Sequence, residues 1–334
     1  MEKMSDVIIS CAALTNVGKV RNNNEDNYLV IPDLENQDEQ PESGCSIPQG
    51  RMGMLLAVAD GMGGANAGEV ASAIAIDTVR SSFAKENVEA LFAGGKVPSE
   101  SEIKSFMVQV VKDADINIHD FAKTNESTGG MGTTLVMAWI IGRQIFITWC
   151  GDSRCYVYNK SMGLIRLSKD HSYVQELVDR GEISEEDAFD HPYGNIITRC
   201  LGDQENRANP DFRTYHLQDK DTIILCSDGL SSVATESEMV DVLSRDETFN
   251  ADVCCSNLID AALNAGGYDN VTVAVAQMSM DEVSVTQPDL QTTIKPKGKK
   301  SGGRLFVLLA SLVVVVALAL CLFLFKPDII NLVK

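Results

Sequence analysis

The chain has 334 residues, with 28 Lys and Arg against 47 Asp and Glu, a formal net charge of −19. The charge is uneven: residues 1–294 carry 21 basic and 46 acidic side chains, a net of −25, whereas residues 295–334 carry seven and one, a net of +6. A part this acidic repels phosphate backbones and speaks against nucleic-acid binding, and nine cysteines without a C-x-x-C pair, behind an N-terminus (MEKMSDVIIS) with no basic and apolar leader, speak against secretion and for a reducing cytoplasm.

In chain order, the apolar run Val7–Leu14 predicts a first strand. Next comes Gly18-Lys-Val-Arg21-Asn-Asn-Asn-Glu25-Asp26, an arginine four residues ahead of an acidic pair. A guanidinium fork suits phosphate oxygens, and a carboxylate such as Glu25 suits a metal. After a strand at Tyr28–Ile31, residues 32–51 are polar and Pro/Gly-rich and predict an inserted surface loop. Strand Met54–Ala59 runs into Asp60-Gly61, and three-to-four-residue apolar spacing predicts helices at about Gly68–Phe83 and Ser101–Ala122.

A block of strands follows at Thr133–Ile141, Gln144–Cys150, Cys155–Tyr158 and Leu164–Leu167, with Gly151-Asp152-Ser153-Arg154 after the second. The stretch from about Ser172 to Ile196 is acidic and contains one helix, Val174–Arg180. Strand Thr222–Cys226 leads into Ser227-Asp228-Gly229, helices are predicted at Glu236–Leu243 and Ala251–Ala265, and Tyr268-Asp269-Asn270 precedes a last strand, Val271–Gln277. Two long helices and then strands on short turns predict an α+β fold of packed antiparallel sheets with helices outside. Cys11, Cys150, Cys155 and Cys226 fall in apolar runs and read as core thiols.

Asp60, Asp228 and Asp269 each stand beside Gly or Asn next to an apolar strand. Carboxylates at strand ends on tight turns can converge on one cavity, and magnesium or manganese are the natural guests of such oxygens. Each Asp-Gly pair alone is an ordinary turn; only the combination points to a site.

Together these segments resemble the PPM family of metal-dependent protein phosphatases, also called protein phosphatase type 2C. The matches are R-x-x-N-E-D at Arg21–Asp26, D-G-x-G-G at Asp60–Gly64, G-x-x-A-S at Gly68–Ser72, G-T-T at Gly132–Thr134, G-D-S-R at Gly151–Arg154, T-R-x-L-G at Thr198–Gly202, S-D-G-L at Ser227–Leu230 and D-N-x-T at Asp269–Thr272. The resemblance implies a central β-sandwich flanked by helices on both faces and hydrolysis of phosphoserine and phosphothreonine in proteins. It further implies that Asp60 bridges two divalent cations, that Asp228 and Asp269 complete one, and that Glu25 and the Gly61 carbonyl hold the other. Arg21 would grip phosphate, Asp26 would orient its neighbours, and Asp152 with Asp228 would make a weaker third metal site. The family's frequent D-G-H-G-G is here D-G-M-G-G, and Met62 cannot donate a proton. Residues 172–196 occupy the place of the family's flap, where a solvated excursion is the competing reading. His171, just before it, reads as structural. Two alternatives share these residues: a binding protein that lost catalysis, which no missing carboxylate marks, and a phosphatase of small metabolites.

The domain is expected to span residues 1–280, followed by a basic linker at 281–304, rich in Pro, Lys, Gly and Ser. Leu305–Phe325 is uncharged over 21 residues, which at 1.5 Å per residue matches a hydrocarbon core of about 30 Å. A transmembrane helix is therefore expected, with a short tail at 326–334. Lys295, Lys297, Lys299, Lys300 and Arg304 precede it, and the positive-inside bias then puts the acidic domain on the cytoplasmic side of the inner membrane.

Overall fold

The computed structural model describes residues 7–38, 42–63, 67–125, 128–245 and 248–280. The chain divides into Met1–Val283 and Ser284–Lys334; the expected linker and transmembrane helix lie outside the described residues. Among the described residues no helix is long and apolar enough to cross a membrane.

The strands are β1 (Ile8–Asn16), β2 (Asp26–Ile31), β3 (Ser46–Pro48), β4 (Met54–Met62), β5 (Gly132–Thr133), β6 (Leu135–Ile141), β7 (Gln144–Cys150), β8 (Arg154–Asn159), β9 (Gly163–Arg166), β10 (Asp211–His216), β11 (Thr222–Cys226) and β12 (Val271–Ser279). The helices are α1 (Ala67–Ser82), α2 (Lys85–Leu91), α3 (Glu100–Thr124), α4 (Tyr173–Asp179), α5 (Glu185–Phe189), α6 (Asp228–Ser231), α7 (Glu236–Leu243) and α8 (Ala251–Asn264). One sheet has the order β3-β1-β12-β11-β8-β9; the other runs β10-β7-β6-β4-β2, with β5 paired to β4. The paired strands are antiparallel.

Strands β4, β6, β7 and β12 are apolar on both faces because each sheet is covered twice. Between the sheets, Met54, Leu56, Val58, Val136 and Ile147 meet Ile9, Val157, Leu225 and Ala274. Outside the second sheet, α1 and α3 bury Ala71, Ile76, Val79, Met107 and Val111 over Leu55, Ala57, Met137 and Trp139. Outside the first, α7 and α8 bury Met239, Cys255, Leu258 and Ile259 over Ile224 and Val273. These layers make helix, sheet, sheet, helix, the architecture expected from the resemblance.

Residues 32–51 are a correction. Leu34 and, just past the loop, Met52 are fully buried, and the Met52 carbonyl accepts the Trp139 indole N–H at 2.8 Å. Ser46–Pro48 forms β3 on the outer edge of β1, and Gln49 bonds both Gly142 N–H and the Ile140 carbonyl. Two buried apolar side chains and a buried amide in an otherwise polar stretch carry no periodicity, so the anchoring did not show in the pattern.

Candidate active site

Asp60 does not sit on a turn after its strand. Strand β4 continues through Asp60, Gly61 and Met62, so Asp60 faces Asp26 directly across the ladder with β2, while Gly61 and Met62 pair with Thr133 and Gly132. The pairing holds the backbone on both sides. The Asp60 carbonyl accepts Thr134 N–H at 2.9 Å and the Thr133 hydroxyl at 2.8 Å, and its N–H donates to Thr134 Oγ1 at 3.1 Å. Three backbone constraints on one aspartate leave little freedom beyond its χ angles.

The glycines around it explain two of the motifs. A Cβ at Gly61 would lie 2.2 Å from the Gly68 carbonyl oxygen and 2.6 Å from that of Glu25; a Cβ at Gly68 would lie 2.8 Å from Glu25 Oε2. Gly68 thus clears the space that the Glu25 carboxylate fills. One turn on, Ser72 donates its hydroxyl to the Glu25 carbonyl and accepts from Asn27 Nδ2 at 2.8 Å.

Asp228 opens α6 directly after β11, and a Cβ at Gly229 would strike the Asn270 carbonyl oxygen at 1.9 Å. Asn270 works as a clamp: its Oδ1 accepts Glu25 N–H at 2.8 Å, and its Nδ2 donates to the carbonyls of Val17 and Asn23 at 3.0 and 2.9 Å. The two ends of the domain, residues 17–25 and 269–272, are thereby laced together. Arg21 Nη2 lies 2.7 Å from Asp269 Oδ2, an ion pair that is partly exposed.

Burial, and after it crowding, raises the pKa values of Asp26, Asp60, Asp152 and Asp228. Burial, and then repulsion from Asp228 and Asp269, pushes Asp26 up to about 7 against the pull of hydrogen bonds from Thr272 and Ser227. Asp60 is held well above the usual carboxylate range by burial and by Asp26, Asp228 and Asp152, and is hydrogen-bonded to Asp228. Asp152 is raised by burial and by Asp228 and Asp170. Among the described residues, Asp26 Oδ1 and Asp152 Oδ1 are buried with no hydrogen-bond partner. Like charges this close, with buried lone pairs unmet, suit hard divalent cations. Among the described residues no three of these side chains already close on one cation position, and Asp269 leans on Arg21.

Asp152, Asp228 and Asp269 open into a cavity of about 500 Å³, whose other wall is Phe189, His191, Pro192, Gly194 and Asn195. The segment from 172 to 196 therefore borders the site, as a flap would. A cavity of about 600 Å³ at the opposite end of β11 and β12 holds none of the candidate residues. Arg154, half-buried, spends its guanidinium on Asp170 at 2.7 and 3.0 Å and on Tyr156 Oη at 3.0 Å. His171 is structural, as expected: buried against Trp149, it accepts Gly151 N–H on Nδ1 at 3.1 Å and meets Asp211 on Nε2 at 3.2 Å.

All eight expected site residues lie at one end of the sandwich: Arg21, Glu25, Asp26, Asp60, Gly61, Asp228 and Asp269 in contact through the bonds above, and Asp152 on the shared cavity. Sequence reasoning assigned no role to Ser72, Thr133, Thr134, Ser153 and Asn270, although each stands in a quoted motif. Thr134 and Ser153 share a hydroxyl bond of 2.6 Å that ties β6 to the Asp152 loop.

A family model for protein phosphatase 2C matches residues 33–254. The serine/threonine phosphatase stp of Listeria innocua is 36% identical over 268 residues, covering 80% of this chain and 94% of that protein. A serine/threonine phosphatase of S. agalactiae, a solved structure, superposes with a TM-score of 0.67 at 30% identity, covering 80% of this chain and 98% of its own. The catalytic domain of the serine/threonine phosphatase PstP, solved in complex with two manganese ions, gives a TM-score of 0.62 at 30% identity, covering 82% of this chain and 99% of its own. With the motifs, the layered fold and these likenesses in agreement, the chain belongs to the protein phosphatase 2C family of protein-serine/threonine phosphatases.

Proposed function

We propose that the chain hydrolyses phosphoserine and phosphothreonine in proteins with two divalent cations, manganese or magnesium, at the inner face of a membrane. The observation that carries the chemistry is the repelling carboxylate cluster with unmet buried oxygens at the mouth of a cavity; the manganese-bound relative supports the choice of metal. Asp60 would be the ligand common to both cations, Asp228 and Asp269 would hold one, Glu25 and the Gly61 carbonyl would hold the other, and Asp152 with Asp228 would offer a weaker third place. When bound, the cations supply an acidified water and neutralise the phosphoryl oxygens.

The chain's own groups do the rest. Arg21 offers its fork to the phosphoryl oxygens from its place on Asp269. Asp26, bonded by Ser227 at 2.8 Å, holds the geometry around Asp60. Met62 offers no proton, so the departing serine or threonine alkoxide takes one from water. Arg21→Ala is expected to raise KM for a phospho-Thr peptide by about tenfold or more, the loss of a charge-assisted pair, with kcat less affected. Steady-state kinetics with added manganese test it, and turnover that persists in excess chelator would overturn the metal reading.

The membrane assignment rests on Leu305–Phe325 and its basic flank. A helix there confines the domain beside membrane phosphoproteins and raises its effective concentration without touching the site. The full chain is expected in the membrane fraction with its phosphatase domain shielded from protease outside intact cells; recovery in the soluble fraction would overturn the anchor.

A further inference from the structure

Beside the catalytic end, one side chain stands where the fold has no use for it. Tyr268 is 65% exposed, the largest exposure among the exposed large hydrophobics of the described residues, and it joins none of the three hydrophobic cores. Yet the backbone that carries it is held in place. The ring lies over Gly266, where a Cβ would come within 2.3 Å of a ring carbon. Its loop is pinned on both sides, by Lys19 N–H on the Gly267 carbonyl at 2.7 Å and Lys19 Nζ on the Leu263 carbonyl at 2.6 Å, and by the Asn270 clamp that follows.

Tyr268 also lines the catalytic cavity together with Asp228 and Asp269, and Phe189 and Pro192 line the same cavity. The Arg21–Asp269 pair is flanked by two exposed apolar side chains, Val20 at 62% and Tyr268. A cavity of about 500 Å³ exceeds what a phosphoryl group fills and has room for a neighbouring side chain. A tyrosine is an efficient contact surface, because it offers a large face with only two χ angles to order.

We propose that Tyr268 determines specificity: its ring is the platform for the substrate residue next to the phosphoamino acid, so the preferred substrates are phosphopeptides with an apolar residue at that place. The inference rests on the phosphatase reading above and narrows it. Two phospho-Thr peptides that differ only in the flanking residue, Leu or Gly, with manganese present, separate the possibilities in the full-length protein. The wild type is expected to favour the Leu peptide by about tenfold in kcat/KM, equivalent to about 1.4 kcal/mol, through KM rather than kcat. Tyr268→Ala should bring the two peptides to within about twofold, and Tyr268→Phe, which keeps the ring, should retain the preference. The proposal is overturned by a wild type that does not discriminate, by Tyr268→Ala that still does, or by an equal loss of kcat on both peptides, which would make Tyr268 a support for Asp269. If the wild type cleaves neither peptide, the phosphatase reading itself fails and this proposal falls with it.

Discussion

Asp60→Asn is expected to abolish measurable turnover, a loss of at least about 10²–10³ in kcat, the scale on which single preorganised electrostatic groups act, and to make the metal-free protein more stable at the same time. Asp60 faces Asp26 across the ladder and is hydrogen-bonded to Asp228. Burial and three like-charged neighbours already favour its neutral form, and an asparagine imitates that form, since its amide can donate to Asp228 where the protonated acid does. Nothing in the core changes, because the backbone of Asp60 is held by Thr133 and Thr134 rather than by its side chain. Melting with chelator at pH 8, alongside manganese titration, checks both halves. A metal-free variant less stable than the wild type would show that the carboxylates do not repel as described, and retained turnover would remove Asp60 from the metal site.

The second large effect is in pH. Asp26 is raised to about 7, and Asp60, Asp152 and Asp228 are raised as well, against an unfolded value of about 3.9. Between those limits the folded state holds more protons than the unfolded one, so the stability they contribute is fully present below about pH 4 and is lost as pH rises through the folded values. The metal-free protein is therefore expected to melt lower at pH 8 than at pH 6. Manganese competes for the same oxygens, so its stabilising effect should be larger at pH 8, and binding near pH 6.5 should release about one proton or more. Calorimetry in two buffers of different ionisation enthalpy measures that release. A metal-induced gain in Tm that is equal at both pH values would contradict the assignment.

How much of this was legible in the sequence depends on which force placed each residue. Strands such as β6, β7, β11 and β12 were visible because burial on both faces gives unbroken apolar runs. Strand β10, DFRTYH, was not: it lies at a sheet edge with no residue fully buried, and neither an apolar run nor clean alternation marks it. Helices α5 and α6 are five and four residues long, too short for a period to show, and α2, KENVEAL, buries only Val88. The ligand carboxylates were legible because each is embedded in glycine or asparagine letters that have a steric cause, as Gly61, Gly68 and Gly229 show. That Asp60 lies inside a paired strand rather than on a turn could not be seen, because the pairing is made by β2 and β5, 34 and 73 residues away for the Asp26 and Thr133 partners. Asn270 was in view as a motif letter, but its work as a clamp is a matter of contacts nearly 250 residues apart in the chain.

The lacing of β1 to β12, from Ile8 opposite Ser279 to Asn16 opposite Val271, has a consequence for the birth of the protein. Synthesis delivers the first strand and the Arg21–Asp26 segment long before their partners exist, so these residues wait through some 250 positions of chain growth for a pairing of very high contact order. No earlier fragment can stand in: Glu25 has no clamp until Asn270 arrives, and Arg21 has no acid to lean on until Asp269 does. The nascent chain is thus catalytically silent by topology, and the phosphatase centre assembles only when the last strand of its domain closes the first sheet.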